Sequence, residues 1–564
     1  MKFSNWDIGS FDRDTAVEFC RNGVNPLVSV FLASRGMTGI DEVNAILGNE
    51  PAVFYDPFLM ADMDKAVKRI KEAVTKNEKI AVYGDYDVDG MTSCAVLSIW
   101  LTSKNANYKT YIPGRFDEGY GLNNTALDAL KADGVKLVVT VDCGITAIEE
   151  ALHAQSIGLD LVITDHHECR GTLPKAHAIV DPKRPDCKYP YKTLAGVGVA
   201  FKLICALEDD YLSDEIFSSY CDLVALGTVA DVMPVVGENR ELIKSGLEIL
   251  NLNPRPGVRG LLQEVGITPG NITSATIGFT LAPRLNAAGR MGQSDLSVNL
   301  LLSNSPEQSD LLAAELCRLN SERRRLEQEI YDEATAMLPD DVPNEPVVLA
   351  HRGWYQGVTG IIAAKMAERY CLPVIIISID NDGIGRGSCR SFGSFVLYDA
   401  LSSCEDILDN YGGHEMAAGV TVKEDNINEF RKRITKYYDD SFEIMPAPGL
   451  KMDFEVEKPE LLTLSNIEAL NNLEPFGNGN PSPCLFIKGA VVSSTQSIGD
   501  GKHSRLKVEK AGKSLDCIFF SVSEDDLGVN EGMHVDLAFE PQVNEFRGRS
   551  SVQLQLYDIR TSRD

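Results

Sequence analysis

The apolar positions of this chain keep two rhythms, and the switches between them outline its elements. Ala66, Val67, Ile70, Ala73 and Val74 recur at helical spacing. Ile80 to Tyr83 then runs apolar without a break, the pattern of a strand buried on both faces. MTSCAVLSIWL predicts a helix, KTYIP a strand, Asn123 to Lys131 a helix, KLVVTVD a strand, ITAIEEALHAQ a helix and DLVITD a strand. Buried strands alternating with amphipathic helices predict a parallel sheet covered on both faces. Residues 305–340 then read as one long helix, with Leu312, Leu316, Leu319, Leu326, Ile330 and Met337 in a heptad-like stripe. EPVVLA, IIAAKMAERY and LPVIIIS return to strand, helix and strand. Beyond about residue 450 the pattern changes in kind, with short strands at LFIKGAVV, SRLKVEKAG, SLDCIFFSV, HVDLAFEP and SSVQLQLYDI. In the last, Val552, Leu554 and Leu556 alternate with polar residues, so one face is buried. Several such strands with turns predict a small closed β-barrel.

The expected fold class is therefore α/β: two α/β lobes, the first with a parallel sheet, joined by a long helix, plus a C-terminal β-barrel. The expected boundaries are an N-terminal segment over 1–50, a first lobe over 51–304, the helix over 305–341, a second lobe over 342–445 and the barrel over 446–564. DDSFEIMPAPG reads as the linker before the barrel, and the N-terminal segment carries a mixed helical pattern without chemistry.

Composition narrows the class. A chain of 564 residues, 44% hydrophobic and 24% charged, suits three or four globular domains. No apolar run approaches the roughly 18 to 20 residues needed to span a bilayer. MKFSNWDIGS lacks an apolar signal core, so a cytoplasmic protein is expected. Thirteen cysteines without a CxxC pair read as small buried hydrophobes in a reducing compartment. The net charge of −28 argues against binding nucleic acid through overall electrostatics. A polyanionic substrate would need bound cations and local arginines.

Candidate chemistry gathers at strand ends. GDYDVDG puts Asp85, Asp87 and Asp89 at the carboxyl end of a strand, where open α/β sheets place their ligands. Like charges so close repel unless cations neutralise them. Asp142 ends the KLVVTV strand, and Asp165, His166 and His167 end the DLVIT strand. ALGTVADVMP brings Asp231 behind another apolar segment. Singly, these are an acidic loop, a cap, a structural histidine or a helix-ending aspartate before proline. Three successive strand ends bearing ligand-type residues together predict one divalent-metal site. In the second lobe, GIGRGSCRS sets Arg386, Ser388 and Arg390 among glycines that would let backbone amides approach a phosphate. YGGHEMAAG offers Gly412, Gly413 and His414 in a similar way. Each alone reads equally as a turn; together they predict a phosphate clamp facing the metals. On the barrel, NEFRGRS groups Phe546, Arg547 and Arg549 for base stacking and phosphate contact, or is an exposed hairpin tip.

In order and spacing, GDYDVDG, VDCG, TDHHE and GTVADVMP resemble the four motifs of the DHH phosphoesterase superfamily. PRLNAAGRMG at 283–292, GSCRS at 387–391 and YGGHEMAAG at 411–419 extend the resemblance to the RecJ family within it, over nearly all the chain after residue 50. The resemblance implies a DHH domain, a DHH-associated domain and an OB-fold. It implies a metal-dependent exonuclease that degrades single-stranded DNA 5′ to 3′ into 5′-mononucleotides in recombination and repair. Two Mn²⁺ or Mg²⁺ ions are expected, in a monomer that follows a helicase and contacts single-strand-binding protein. By motif, Asp142 would bridge the ions, Asp87 with Asp85 would hold the first, and Asp89, His166 and Asp231 the second. His167 would touch the scissile phosphate or orient a ligand, and Asp165 would fix an imidazole tautomer. Arg284, Asn286 and Arg290 would contact the strand, and Arg390 and His414 its phosphates. Tyr83 departs from the pattern, since some members carry a histidine ligand there; Asp85 is the candidate substitute. There are two other readings: a small-molecule phosphohydrolase (of pyrophosphate, short oligonucleotides or cyclic dinucleotides), which would share every metal ligand but not need the barrel, and a replication scaffold that keeps the fold without the ligands, which the intact GDYDVDG, VDCG, DHH and Asp231 disfavour.

Overall fold

The structure, a computed structural model, describes all residues except 1, 2, 4, 49–51, 117, 120, 170, 340–343, 442–448, 547, 563 and 564. The middle of the expected linker thus lies outside the described residues. The chain divides into two compact units. One contains Val53–Ile444 with Gly477–Asn480; the other contains Met1–Ala52, Met445–Phe476 and Pro481–Asp564.

The first lobe of the larger unit is built on five parallel strands, in the order Tyr108–Tyr111, Ile80–Tyr83, Leu137–Val141, Asp160–Thr164, Ala178–Val180. Their side chains alternate between two cores. Ile80, Val82, Val139 and Val162 face one, while Ala81, Tyr83, Val138 and Ile163 face the other. Both faces are covered, which is why these strands are apolar throughout. From Ile80–Tyr83 the chain crosses to one side, and it returns on the other at Leu137–Val141. The topological switch point therefore lies between those two strands.

The connecting helix runs over Pro306–Ala336. Leu316, Leu319 and Ile330 are buried, but Met337 lies past the helix end and is half exposed, so it leaves the expected stripe. Arg325 pairs with Glu322 and Glu329 on the outer surface, while Arg323 turns inward beside Glu327. The second lobe is a mixed sheet ordered Leu408–Gly413, Ala417–Lys423, Ile384–Arg390, Val374–Ile379, Val347–Arg352. GSCRS is here a strand rather than a loop, hydrogen-bonded on both sides. Its amides are used by the sheet, so the expected amide cradle does not form there. Gly385 and Gly387 serve packing: a methyl on Gly387 would lie 2.7 Å from Val420 Cγ1 and one on Gly385 2.8 Å from Ile377 Cγ2.

In the smaller unit, Leu485–Ile498, His503–Lys510, Lys513–Phe519, Arg549–Thr561 and His534–Phe546 pair in sequence. The last also pairs with the first, closing a five-stranded barrel. Leu506, Leu537, Phe539 and Leu554 fill it. The first fifty residues belong to this unit, because Phe19, Leu27, Phe31 and Leu32 share the barrel's core cluster. Among the described residues no helix is long and apolar enough to cross a membrane.

Candidate metal centre

Local structure at each strand end explains how the ligands are aimed. The helix Val88–Ser103 begins inside GDYDVDG. Asp87 caps it by accepting the Gly90 amide at 3.0 Å, and Asp89 lies in the first turn. Asp89 is in turn held by the first amides of the helix Gly196–Glu208, with Gly196 N at 2.7 Å and Val197 N at 2.8 Å. Asp142 follows its strand in the left-handed region, at φ 62°, a strained position of the kind found at functional sites. Close approach to it requires glycine at 196, where a methyl would lie 2.5 Å from Asp142 Oδ1. Asp231 ends the helix Asp214–Ala230 and is followed by Val232 at φ 56°, rare for a β-branched residue.

These residues converge. Asp85, Asp87 and Asp142 form one group able to hold an ion; Asp142, His166 and His167 form a second; Asp89, His166 and Asp231 form a third. Asp142 and His166 are each shared by two groups. His166 Nε2 lies 3.1 Å from Asp142, 3.6 Å from Asp231 and 3.7 Å from Asp89. Among the described residues, Asp85 Oδ1, Asp142 Oδ1 and both ring nitrogens of His166 are buried without a hydrogen bond. Buried polar atoms are almost always paired, so this donor set fits a cation. All six sequence-predicted ligands fall in these groups. Tyr83 does not: its hydroxyl donates to Gly121 O at 2.9 Å, and its ring stacks on Tyr111.

The electrostatics agree. Burial, reinforced by neighbouring carboxylates, raises Asp85, Asp89 and Asp142 well above the ordinary range. Burial and Asp87 push Asp231 up to about 7. Burial, with the positive charge of His167, lowers His166 to about 3, leaving a neutral imidazole suited to ligation. Burial also opposes charge on His167, but Asp165 outweighs it and raises His167 to about 9. Asp165 Oδ1 accepts from His167 Nδ1 at 2.7 Å and from the His166 amide at 2.7 Å, and Oδ2 from the Ile145 amide at 2.8 Å. His167 thus has its ring plane fixed, with Nδ1 held as a donor.

A second cluster is cationic. Arg290 NH1 donates to Gly357 O at 3.2 Å, and Tyr355 OH donates to Arg290 O at 2.9 Å, tying the first lobe to the second. Burial and the charges of Arg115, Arg323 and Arg390 lower Arg290 to about 9. Burial lowers Arg390 as well. Gly360 makes room beside Arg390 and Ser388, since a methyl there would lie 3.3 Å from Arg390 NH2 and 3.5 Å from Ser388 Oγ. Ser388 Oγ lies 3.0 Å from Thr359 Oγ1. Arg284 donates to Thr280 O at 2.6 Å, and its buried Nε finds no hydrogen bond among the described residues. Asn286 is half-buried on the same helix as Arg290.

Other candidates sit differently. Arg386 forms an ion pair with Asp380 at 3.1 Å. Gly412 and Gly413 end the strand Leu408–Gly413, and His414 turns the chain with its amide on Ala417 O. Gly413 and His414 line a cavity with Tyr398 and Met416. Arg549 is exposed next to the hairpin turn, while Arg547 and the side chain of Phe546 lie outside the described residues. Sequence reasoning missed Arg115, which lies over the Tyr86 ring at 4.8 Å, and the Phe116–Tyr355 ring pair at 5.6 Å. The signal was present as GRF at 114–116 and GWYQG at 353–357, basic and aromatic residues among glycines. It also missed Asp181, at the end of the fifth strand, raised to about 7 by burial and Asp165.

Comparison with known proteins matches three families along the chain: the DHH family, N-terminal domain, at 79–228, the DHHA1 domain at 344–440 and the RecJ OB domain at 452–558. The single-stranded-DNA-specific exonuclease RecJ of Bacillus subtilis is 40% identical over 99% of this chain and 71% of its own length. The crystal structure of RecJ in complex with Mn²⁺ from Thermus thermophilus has a TM-score of 0.84 at 28% identity, over 99% of this chain and 80% of that one. The Mg²⁺ complex from the same organism has a TM-score of 0.79 at 27% identity, over 99% and 79%.

Proposed function

The chain belongs to the RecJ family of single-stranded-DNA-specific exonucleases, and on that premise we propose how its residues divide the reaction. It is a metal-dependent hydrolase of phosphodiester bonds in single-stranded DNA. The observation that carries the assignment of residues is the sharing of Asp142 and His166 between adjoining ligand groups in which Asp85 Oδ1, Asp142 Oδ1 and the His166 ring nitrogens find no hydrogen bond among the described residues. Mn²⁺ or Mg²⁺, when bound as a pair, supplies a water acidic enough to attack near neutrality and a counter-charge for the leaving oxygen. Asp142 is the shared carboxylate. Asp85 and Asp87 complete one position, and Asp89, His166 and Asp231 the other. His167, its ring oriented by the hydrogen bond from Nδ1 to Asp165, contacts the scissile phosphate. Arg290, Arg390 and Ser388, with Arg115, grip a phosphate beside the metals. Arg284 and Asn286 follow the strand, and His414 borders its path.

Degradation runs 5′ to 3′ and releases 5′-mononucleotides. The support for this polarity is the approach of Arg290 and Arg390, neither in an ion pair among the described residues, which suits a terminal phosphate better than an internal one because the terminal group carries more charge. The barrel, with Arg549 exposed at its hairpin, adds affinity for the single strand. The setting we assign is recombination and repair, as a monomer acting on strands opened by a helicase and covered by single-strand-binding protein. The test uses single strands labelled at either end, and duplex, with Mn²⁺. The 5′ label should leave first as a mononucleotide while duplex stays intact. Initial loss of the 3′ label refutes the polarity, and no release at all refutes the nuclease reading.

A further inference from the structure

Phe279 is 85% exposed, more than any other large hydrophobic side chain among the described residues. Leaving a phenylalanine uncovered forfeits its burial, so its position calls for a cause. It projects from a π-helical turn, Ile277–Leu281, and such turns gather at functional sites. The turn is not frayed. A capping box at Thr273 and Thr276 precedes it, Leu281 is buried, and Arg284 donates to Thr280 O from the following helix.

That helix, Ala282–Arg290, continues the turn directly. Phe279, Pro283, Asn286 and Arg290 recur at helical spacing on its more exposed side, while Leu285, Ala288 and Gly289 are buried. The stripe has a fixed place beside the metal groups. At one end, a methyl on Gly289 would lie 2.5 Å from the carbonyl of Tyr86, which stands between Asp85 and Asp87. At the other, a methyl on Gly278 would lie 3.7 Å from Val229 Cγ1, two residues before Asp231. The helix therefore runs alongside the metal groups, with the arginine cluster at one end and Phe279 at the other, roughly 15 Å apart.

We propose that Phe279 is a stacking platform for one nucleobase of the bound strand, on the far side of the metal centre from the arginine cluster. A bare aromatic face in line with phosphate-gripping cations is how proteins hold single strands without reading sequence. The platform keeps the strand beyond the cleaved bond in line along the helix. This rests on the nuclease reading above.

The test uses the full-length protein with Mn²⁺ and 5′-labelled strands, measuring release of the terminal nucleotide in a single turnover over a range of enzyme concentrations. Phe279→Ala should raise the half-saturating concentration by about 5- to 100-fold. The maximal rate should stay within about twofold, and Phe279→Tyr should restore affinity. A single abasic residue is then moved along the strand. In the wild type, one internal position should weaken binding most, and Phe279→Ala should erase that loss at that position alone. Additive effects at every position overturn the proposal, as does unchanged affinity in Phe279→Ala. Unchanged affinity with an altered oligomeric state overturns it in favour of a contact between protein molecules. A wild-type protein that releases nothing refutes the nuclease reading instead.

Discussion

Asp85, Asp89 and Asp142 lie buried beside one another, and burial with mutual repulsion drives their carboxyls toward the neutral form. Arg290 and Arg390 lie half-buried beside Arg115, and desolvation with the like charge drives their guanidiniums downward. The larger unit balances other buried charges internally. Lys202 is fully enclosed, yet its ammonium meets Glu238 at 2.5 Å, and Glu238 also accepts from Tyr189 and the Tyr55 amide. Among the described residues, Asp85, Asp89 and Asp142 pair with no lysine or arginine, and Arg290 and Arg390 pair with no carboxylate. Charge buried and left uncompensated is a mould for a ligand of opposite sign, and this unit holds two such moulds side by side. One matches cations, the other phosphate.

The comparison breaks first at Asp142. Asp142→Ala should lower the Mn²⁺-dependent turnover rate by about three orders of magnitude or more, on the scale of losing a principal electrostatic stabiliser. Strand binding, measured by fluorescence anisotropy, should survive. Turnover near the wild-type rate would remove Asp142 from its shared position. Next comes the opposite mould: Arg290→Met should raise KM by roughly 10- to 100-fold, the worth of one or two charge-assisted hydrogen bonds, with kcat much less affected. A fall in kcat alone would place Arg290 outside ground-state binding.

Stability should respond to pH more mildly. Asp231 is raised in the folded state to about 7 and His167 to about 9. Stability from a raised group is present below its unfolded value and lost as pH rises through the folded one. The metal-free protein should therefore melt several degrees lower at pH 9 than at pH 6.5, and saturating Mn²⁺ should flatten that slope. A metal-free melting temperature that rises over this range contradicts the assignment. The smallest effect belongs to Arg386→Ala. This arginine is already paired with Asp380, so KM should change less than about threefold. A loss as large as that of Arg290→Met would abolish the distinction between paired and unpaired arginines.

The metal groups were legible because Asp85, Asp142 and His166 come one or two residues behind uninterrupted apolar strands, with Asp87 and Asp89 in the same short motif as Asp85; Asp231 instead ends an apolar helix. The parallel sheet was legible for the same reason, through the strands themselves. The arginine cluster was harder, since Arg115, Arg290, Arg323 and Arg390 come from four separated stretches with no spacing in common. Gly385 and Gly387 misled, because the absence of a side chain serves close sheet packing as well as phosphate approach. Asp181 escaped notice because only Ala178–Val180 precedes it, too short a run to stand out as a strand. The first fifty residues showed helices without a destination; their place in the barrel's core depends on contacts more than four hundred residues away in sequence.

Asp142 occupies a backbone conformation that glycine adopts at no steric cost, and like charges crowd its carboxylate. Asp142→Gly should therefore yield a tougher fold and a silent enzyme in one step. A library sorted for heat resistance without metal would enrich glycine at this codon, and the same library sorted for turnover would purge it. The divergence of the two populations would measure how much robustness this chain forgoes to keep its chemistry.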